Sequence, residues 1–185
     1  MQKESKYFKL FFLLSFMFVV FTNARLLSQP KLNYEQNKTP TWKETIMFYQ
    51  FLEDSYQSCK LMIAGESDSG KPIHLFIISG DGDFDPVSIR EKGLSVLLIN
   101  NGIHPGEPCG IDASAKFALE VLQKKEEYQE ILDNTVIAII PILNVGGTLN
   151  RGKFHRANQN GPIEHGFRGN AIYMDLNRDF IKLDT

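Results

Sequence analysis

"LSVLLINNGIHPGEPCGIDASAKFALEVLQ", Leu94 to Gln123, is the stretch that decides how this chain is read. The apolar run "LSVLLINN" has strand length and no polar interruption, which suits a central strand buried on both faces. The segment from Gly110 has helix length, with Phe117, Val121 and Leu122 on one stripe. A second apolar run, "NTVIAIIPILN", Asn134 to Asn144, repeats the character of the first. Strand, helix and strand in that order predict an α/β fold with a mixed, mostly parallel sheet flanked by helices. Between the first strand and the helix stand one imidazole and one carboxylate, His104 and Glu107. Zinc accepts both donor types at about 2.0–2.2 Å. Pro105 and Gly106 supply a tight turn between them, and open α/β sheets place their sites beyond the carboxyl ends of strands.

Upstream, "TPTWKETIMFYQFLEDSY" predicts a helix capped by Thr41, with Glu44 completing a capping box. Trp42, Ile46, Tyr49 and Leu52 share its apolar face. "CKLMIAG" and "KPIHLFIIS" predict a hairpin. The loop "GDGDFDPVS" alternates Asp81, Asp83 and Asp85 as a calcium loop would. The twelfth position from Asp81 is nevertheless Lys92, where that motif requires Glu, so calcium is set aside. From Val145 the chain becomes rich in Gly, Asn and Arg and poor in apolar runs. A stretch of that length without clear secondary structure is more often functional than idle. It holds Arg156, and Asn177 and Arg178 follow a short apolar run that reads as a further strand end. These groups bind carboxylates and oxyanions, and Arg does so with a planar fork.

The chain has 185 residues, 43% of them hydrophobic and 23% charged, with a formal net charge of -2. No basic field exists to hold nucleic acid. Lys3, Lys6 and Lys9 precede the apolar run Leu10 to Phe21, and Thr22 and Ala24 stand where a signal peptidase expects small residues. The run is shorter than the roughly 20 residues a membrane span needs. The expectation is a signal peptide over 1–24, a linker over 25–40 and one domain over 41–185. The product would be exported, periplasmic or extracellular, with no stable membrane insertion after cleavage. Cys59 and Cys109 read as free thiols rather than as a disulfide framework. His74 reads as a strand histidine satisfied in place.

The order and spacing of "NGIHPGEPCGIDA", "PILNVGG", "HRANQNGP" and "YMDLNRDF" resemble the zinc carboxypeptidase family, the funnelin-type metallocarboxypeptidases. The resemblance covers about Thr41 to Thr185, the N-terminal part of such a catalytic domain. It implies one zinc ion held by His104 and Glu107, with Arg156 polarising the scissile carbonyl. It implies that Asn177 and Arg178 bind the free C-terminal carboxylate of a peptide, or of a cell-wall peptide. Three departures stand out. Gly106 occupies the place where the family often carries Arg. "NVGG" replaces the Asn-Pro-Asp-Gly turn and lacks its acidic residue, a change that reads as harmless. The third zinc ligand and the general base would lie well downstream of Arg178, and the chain ends seven residues after it. His155 and His165 precede the Asn-Arg pair and do not stand where the family's third ligand does. The expected sheet is therefore incomplete at its C-terminal side, with exposed strand edges, and the chain alone is expected to bind zinc weakly. The same residues support two other readings. One is a non-catalytic secreted module binding metal or carboxylate, and the other is a related deacylase of small amino-acid conjugates.

Overall fold

The computed structural model describes residues 30–182 apart from residue 158. The signal peptide expected over 1–24, and the linker as far as residue 29, lie outside the described residues. The chain divides between Pro30 and Lys31, and the unit from Lys31 onward carries the fold.

Helix α1, Trp42–Ser55, begins as its sequence dictates. The Thr41 hydroxyl accepts from the Glu44 amide, and the Glu44 carboxylate accepts from the Thr41 amide at 2.8 Å. Both are donors that the first helical turn leaves without partners. The buried face is Thr45, Phe48, Tyr49 and Leu52. Tyr49 and Leu52 match the expected stripe, whereas Ile46 is only half-buried. A strand hairpin comes next, β1 (Cys59–Glu66) and β2 (Pro72–Ile78), paired antiparallel with an irregularity between Ile63 and Gly65. A short helix, α2 (Pro86–Glu91), leads to β3 (Ser95–Asn100). Beyond it lie α3 (Cys109–Gln123), α4 (Gln129–Leu132) and β4 (Thr135–Ile140).

The sheet order is β1-β2-β4-β3. β2 pairs β4 antiparallel, and β3 pairs β4 parallel from Ser95 opposite Thr135 to Asn100 opposite Ile140. The sheet is mixed, as expected, and helices cover both faces. Side chains alternate along a strand: Phe76, Ile78, Ile137 and Ile139 join Phe48, Tyr49 and Leu52 of α1 and Ala115, Ala118 and Val121 of α3 in the main core. Ile77 and Val136 point the other way, onto Ile89 of α2. Burying each large apolar side chain stabilises the fold by about 1.5–3 kcal/mol.

One expectation is corrected. β3 is not buried on both faces among the described residues: it has one neighbour, β4, and Val96, Leu97 and Leu98 are 58%, 47% and 58% exposed. An apolar run reports that a strand suits burial, not how many neighbours it has. Residues 31–40, read as the end of a linker, lie against the fold. Leu32 packs on the main core, and the Thr39 hydroxyl donates to Asp112 at 2.9 Å. Among the described residues no helix is long and apolar enough to cross a membrane.

The aspartate loop is closed internally. Lys92, the residue that breaks the calcium pattern, puts its ammonium 2.6 Å from Asp81 and 2.7 Å from Asp83. Hydrogen bonds, chiefly the one from Lys92, hold the Asp83 carboxyl at about 2, below its ordinary 3.8. A depressed carboxyl favours the folded state above its ordinary value and loses that contribution as pH falls toward the folded one. In Lys92→Met, the Asp83 carboxyl followed by NMR should titrate closer to its ordinary range, and the stability that wild type loses between about pH 4 and pH 2 through this group should shrink.

Cys59 is buried, its thiol pushed up to about 12 mainly by burial, whereas Cys109 is exposed. Alkylation at about pH 8 should therefore label Cys109 in the folded chain and Cys59 only in denaturant, because the thiolate is the nucleophile. Equal labelling rates read by mass spectrometry would contradict this core.

Candidate metal centre

The parallel pairing brings the ends of β3 and β4 to one edge of the sheet. Two asparagines fasten the loops that leave those ends. The Asn101 side chain donates to the Ile140 carbonyl at 3.2 Å and accepts from Ser114 of α3 at 3.0 Å. The Asn101 carbonyl also accepts from the Leu143 amide at 2.8 Å. Gly102 turns the chain with φ +65°, a conformation that L side chains rarely adopt. Asn144 caps α5 (Val145–Leu149) by accepting from the Gly147 amide at 2.7 Å. Its side-chain NH2 donates to the carbonyls of Ile103 and Arg168, each at 3.2 Å. Asn144 thus joins three loops through one buried amide. The change in "NVGG" that read as harmless leaves this residue, the fastening one, in place.

His104 stands just past Gly102 and is 7% exposed. The Glu107 amide donates to the His104 carbonyl at 2.8 Å, closing the Pro105–Gly106 turn. The turn brings Nδ1 of His104 to 3.8 Å from Oε1 of Glu107. Two donors on one tetrahedral zinc stand about 3.3 Å apart, so the pair fits a shared ion after a small closure. Nε2 of His104 faces Oδ1 of Asp175 at 2.8 Å. A ligating histidine commonly gives its other N–H to a carboxylate, which fixes the tautomer and the ring.

Arg156 lies in the loop between the two-residue strands β5 (Arg151–Gly152) and β6 (His165–Gly166). Its Nη2 is 2.5 Å from Oε1 of Glu107. The sequence-predicted residues His104, Glu107 and Arg156 therefore meet at one point. Asn177 and Arg178 lie in a 3-10 turn, Leu176–Arg178. The backbone amide of Asn177 donates to Oδ1 of Asp175 at 2.9 Å, so Asn177 reaches the site through that carboxylate. The Arg178 guanidinium bonds the adjacent Asn177 carbonyl at 3.0 Å. The run before them is not a strand, which corrects another expectation. The Asn170 side chain accepts from the amides of Ile172 and Met174, and Tyr173 turns with φ 65°. Those bonds hold a turn, where apolar character alone suggested extension.

Two residues of this site were not picked out from the sequence. Asp175 and Arg168 meet through Nε and Nη2, each 3.0 Å from Oδ2 of Asp175. Burial opposes ionisation of Asp175, but bonds from His104, the Asn177 amide and Arg168 outweigh it and hold the carboxyl at about 2. The motif "YMDLNRDF" was the available signal for Asp175. Among the described residues no group of three or more His, Cys, Asp and Glu stands together as a metal site. His165 is buried, faces the Gly152 carbonyl at 3.1 Å and stacks on His155 with ring centres 6.4 Å apart. Glu107 also borders a cleft of about 650 Å³, walled by Pro108, Cys109, Asp112 and the segments near Lys38 and Pro162.

A mixed sheet with helices on both faces, and an imidazole–carboxylate pair beyond a parallel strand end, define an α/β domain whose candidate site lies at the strand ends. The profile of the zinc carboxypeptidases matches residues 45–184, and the chain belongs to that family. No curated protein sequence matches it significantly. Solved structures with the same fold include a metallo-carboxypeptidase from Burkholderia cenocepacia, with 15% identity and a TM-score of 0.56, covering 77% of this chain and 33% of that one. A carboxypeptidase A from Helicoverpa armigera shares 16% identity at a TM-score of 0.53, covering 80% of this chain and 34% of its own. A metallo-carboxypeptidase from Pseudomonas aeruginosa, solved with (2-guanidinoethylmercapto)succinic acid, shares 20% identity at a TM-score of 0.53, over 76% of this chain and 30% of its own. The chain thus spans about a third of the length of these structures.

A Cβ on Gly147 would press on the Gly169 and Phe167 carbonyls, the latter 2.6 Å away. Gly147→Ala should cost about 1–3 kcal/mol in urea denaturation and should disturb the NMR signals of His104. A neutral substitution would mean that the loops do not approach this closely.

Proposed function

We propose that the chain is the N-terminal part of an exported zinc metallocarboxypeptidase that removes C-terminal residues from peptides. The observation that carries this reading is His104, buried, with one ring nitrogen on Asp175 and the other turned toward Glu107. In a zinc carboxypeptidase, two donors so arranged at a strand end are ligands.

Zinc, when bound, supplies a Lewis acid that polarises a carbonyl oxygen. The chain's own residues do the rest of the binding. His104 and Glu107 hold the ion, and Asp175 keeps the His104 ring in place. Arg156, beside Glu107, presents a guanidinium to the oxygen on which charge develops, and preorganised donors of this kind are usually the largest catalytic contribution. Asn177 and Arg178, next to Asp175 in the chain, receive the terminal carboxylate. Gly106 is buried between His104 and Glu107, and a Cβ there would meet the Gly166 carbonyl at 3.1 Å. Because the chain spans about a third of its solved relatives, the remaining ligand and the general base are assigned to sequence that it does not include. The basic, apolar and small-residue order at the N-terminus supports export.

A longer protein continuing this reading frame should bind about one zinc per chain and release C-terminal residues from peptides. His104→Ala should abolish both. Arg156→Ala should keep the metal and lower kcat by about 100-fold or more. Zinc binding with no turnover of any peptide bearing a free carboxylate would leave a binding module instead.

A further inference from the structure

We propose that Arg168 is a positioning residue for the His104 ring, acting through Asp175. The proposal rests on the reading of His104 as a zinc ligand.

The geometry runs in one direction. Oδ2 of Asp175 is taken by two nitrogens of Arg168, Nε and Nη2, each at 3.0 Å. Oδ1 takes the Asn177 amide at 2.9 Å and faces Nε2 of His104 at 2.8 Å. A carboxylate held by a guanidinium only accepts hydrogen bonds. His104 must therefore donate from Nε2, and its neutral ring keeps the lone pair on Nδ1, the nitrogen facing Glu107. Both contacts fall on Oδ2, so they anchor that oxygen and leave Oδ1 to the Asn177 amide and the His104 ring. A lysine would offer one point charge in place of the two nitrogens.

Arg168 is itself held in place. Its carbonyl accepts from the buried Asn144 amide at 3.2 Å, and the preceding Phe167 amide donates to the Gly147 carbonyl at 2.8 Å. The Phe167 ring contacts His155 and Tyr173 edge-on, with centres 5.6 and 5.8 Å apart. The third guanidinium nitrogen, Nη1, is 3.6 Å from Oε1 of Glu107. One side chain thus spans both carboxylates that flank the His104 ring. Asn144, which fixes the loop beyond β4, fixes the base of Arg168 as well.

The test uses the chain as it exists, free of metal and then with zinc alone. Long-range proton–nitrogen NMR at about pH 8, where a typical imidazole is neutral, reads the His104 tautomer directly. Wild type should show the Nε2–H form. Arg168→Ala should show a mixture and bind zinc at least about 10-fold more weakly, the usual loss on removing such support. Arg168→Lys should fall between the two. Asp175→Asn should lose as much as Arg168→Ala, and the double variant should lose no more than Asp175→Asn alone. An unchanged tautomer in Arg168→Ala, or a further loss in the double variant, overturns the proposal. If Arg168→Ala does not fold, Arg168→Gln takes its place in the same comparison. Loss of the tautomer preference with zinc binding that even His104→Ala leaves untouched would sink the ligand reading instead, while leaving the positioning intact.

Discussion

The parallel pairing of β3 with β4 is the constraint on which the rest depends. It runs from Ser95 opposite Thr135 to Asn100 opposite Ile140, so both strands end at the same level of the sheet. An antiparallel pair would have sent one of the two outgoing loops to the far edge. Here both emerge side by side, and hydrogen bonds between them begin at once: the Leu143 amide reaches the Asn101 carbonyl, and the Asn144 amide reaches that of Gly102. The helices pack on a sheet whose register is already set, since α1 and α3 meet the side chains that β2 and β4 turn to one face. The position of His104 is therefore inherited from a strand pairing and not from its own loop.

What the sequence made legible was what is local. The capping box of Thr41 and Glu44 joins residues three positions apart, and so does the turn from His104 to Glu107; both could be read from spacing alone. The hairpin and the strand–helix–strand order were equally plain. What it hid was long-range. Asp175 meets His104 across 71 positions, and nothing in the spacing of either residue announces the pair. Asn144 looked like one polar residue in an altered turn, yet its side chain binds the backbone in three places. The exposure of β3 was hidden for a different reason. Val96, Leu97 and Leu98 have the composition of a strand with neighbours on either side, and composition carries no information on sheet order. The turn at Ile172 to Met174 was misread because the Asn170 side chain competes with extended structure for the same amides.

Charge at the site follows the same division. Glu107 and Asp175 flank one imidazole, and Arg156 and Arg168 lie beside those carboxylates. Exposed ion pairs contribute little to stability, and the arginine side chains here are 35% exposed. Their arrangement is better explained by geometry. Each guanidinium approaches a carboxylate oxygen from a fixed side, which limits where the other lone pairs can point. A cluster of this kind specifies direction more than it adds stability, and direction is what a metal ligand or an oxyanion donor requires.

The stretch from Val145 to Asn170 shows how that direction is achieved with few apolar residues. Its backbone packs where side chains would normally pack. A Cβ on Gly166 would collide with Pro105, one on Gly147 with carbonyls of the 167–169 segment, and one on Gly106 would crowd the Gly166 carbonyl. Bare backbone at these points lets the Phe167 amide bond the Gly147 carbonyl and the Gly166 amide bond the Pro105 carbonyl. The result is a loop rich in glycine that is nonetheless held against the strand ends by buried peptide groups. Wider side chains there would push the segment carrying Arg168 away from the turn carrying His104. Once the two are apart, Asp175 could no longer touch both, and the imidazole would lose the contact that orients it.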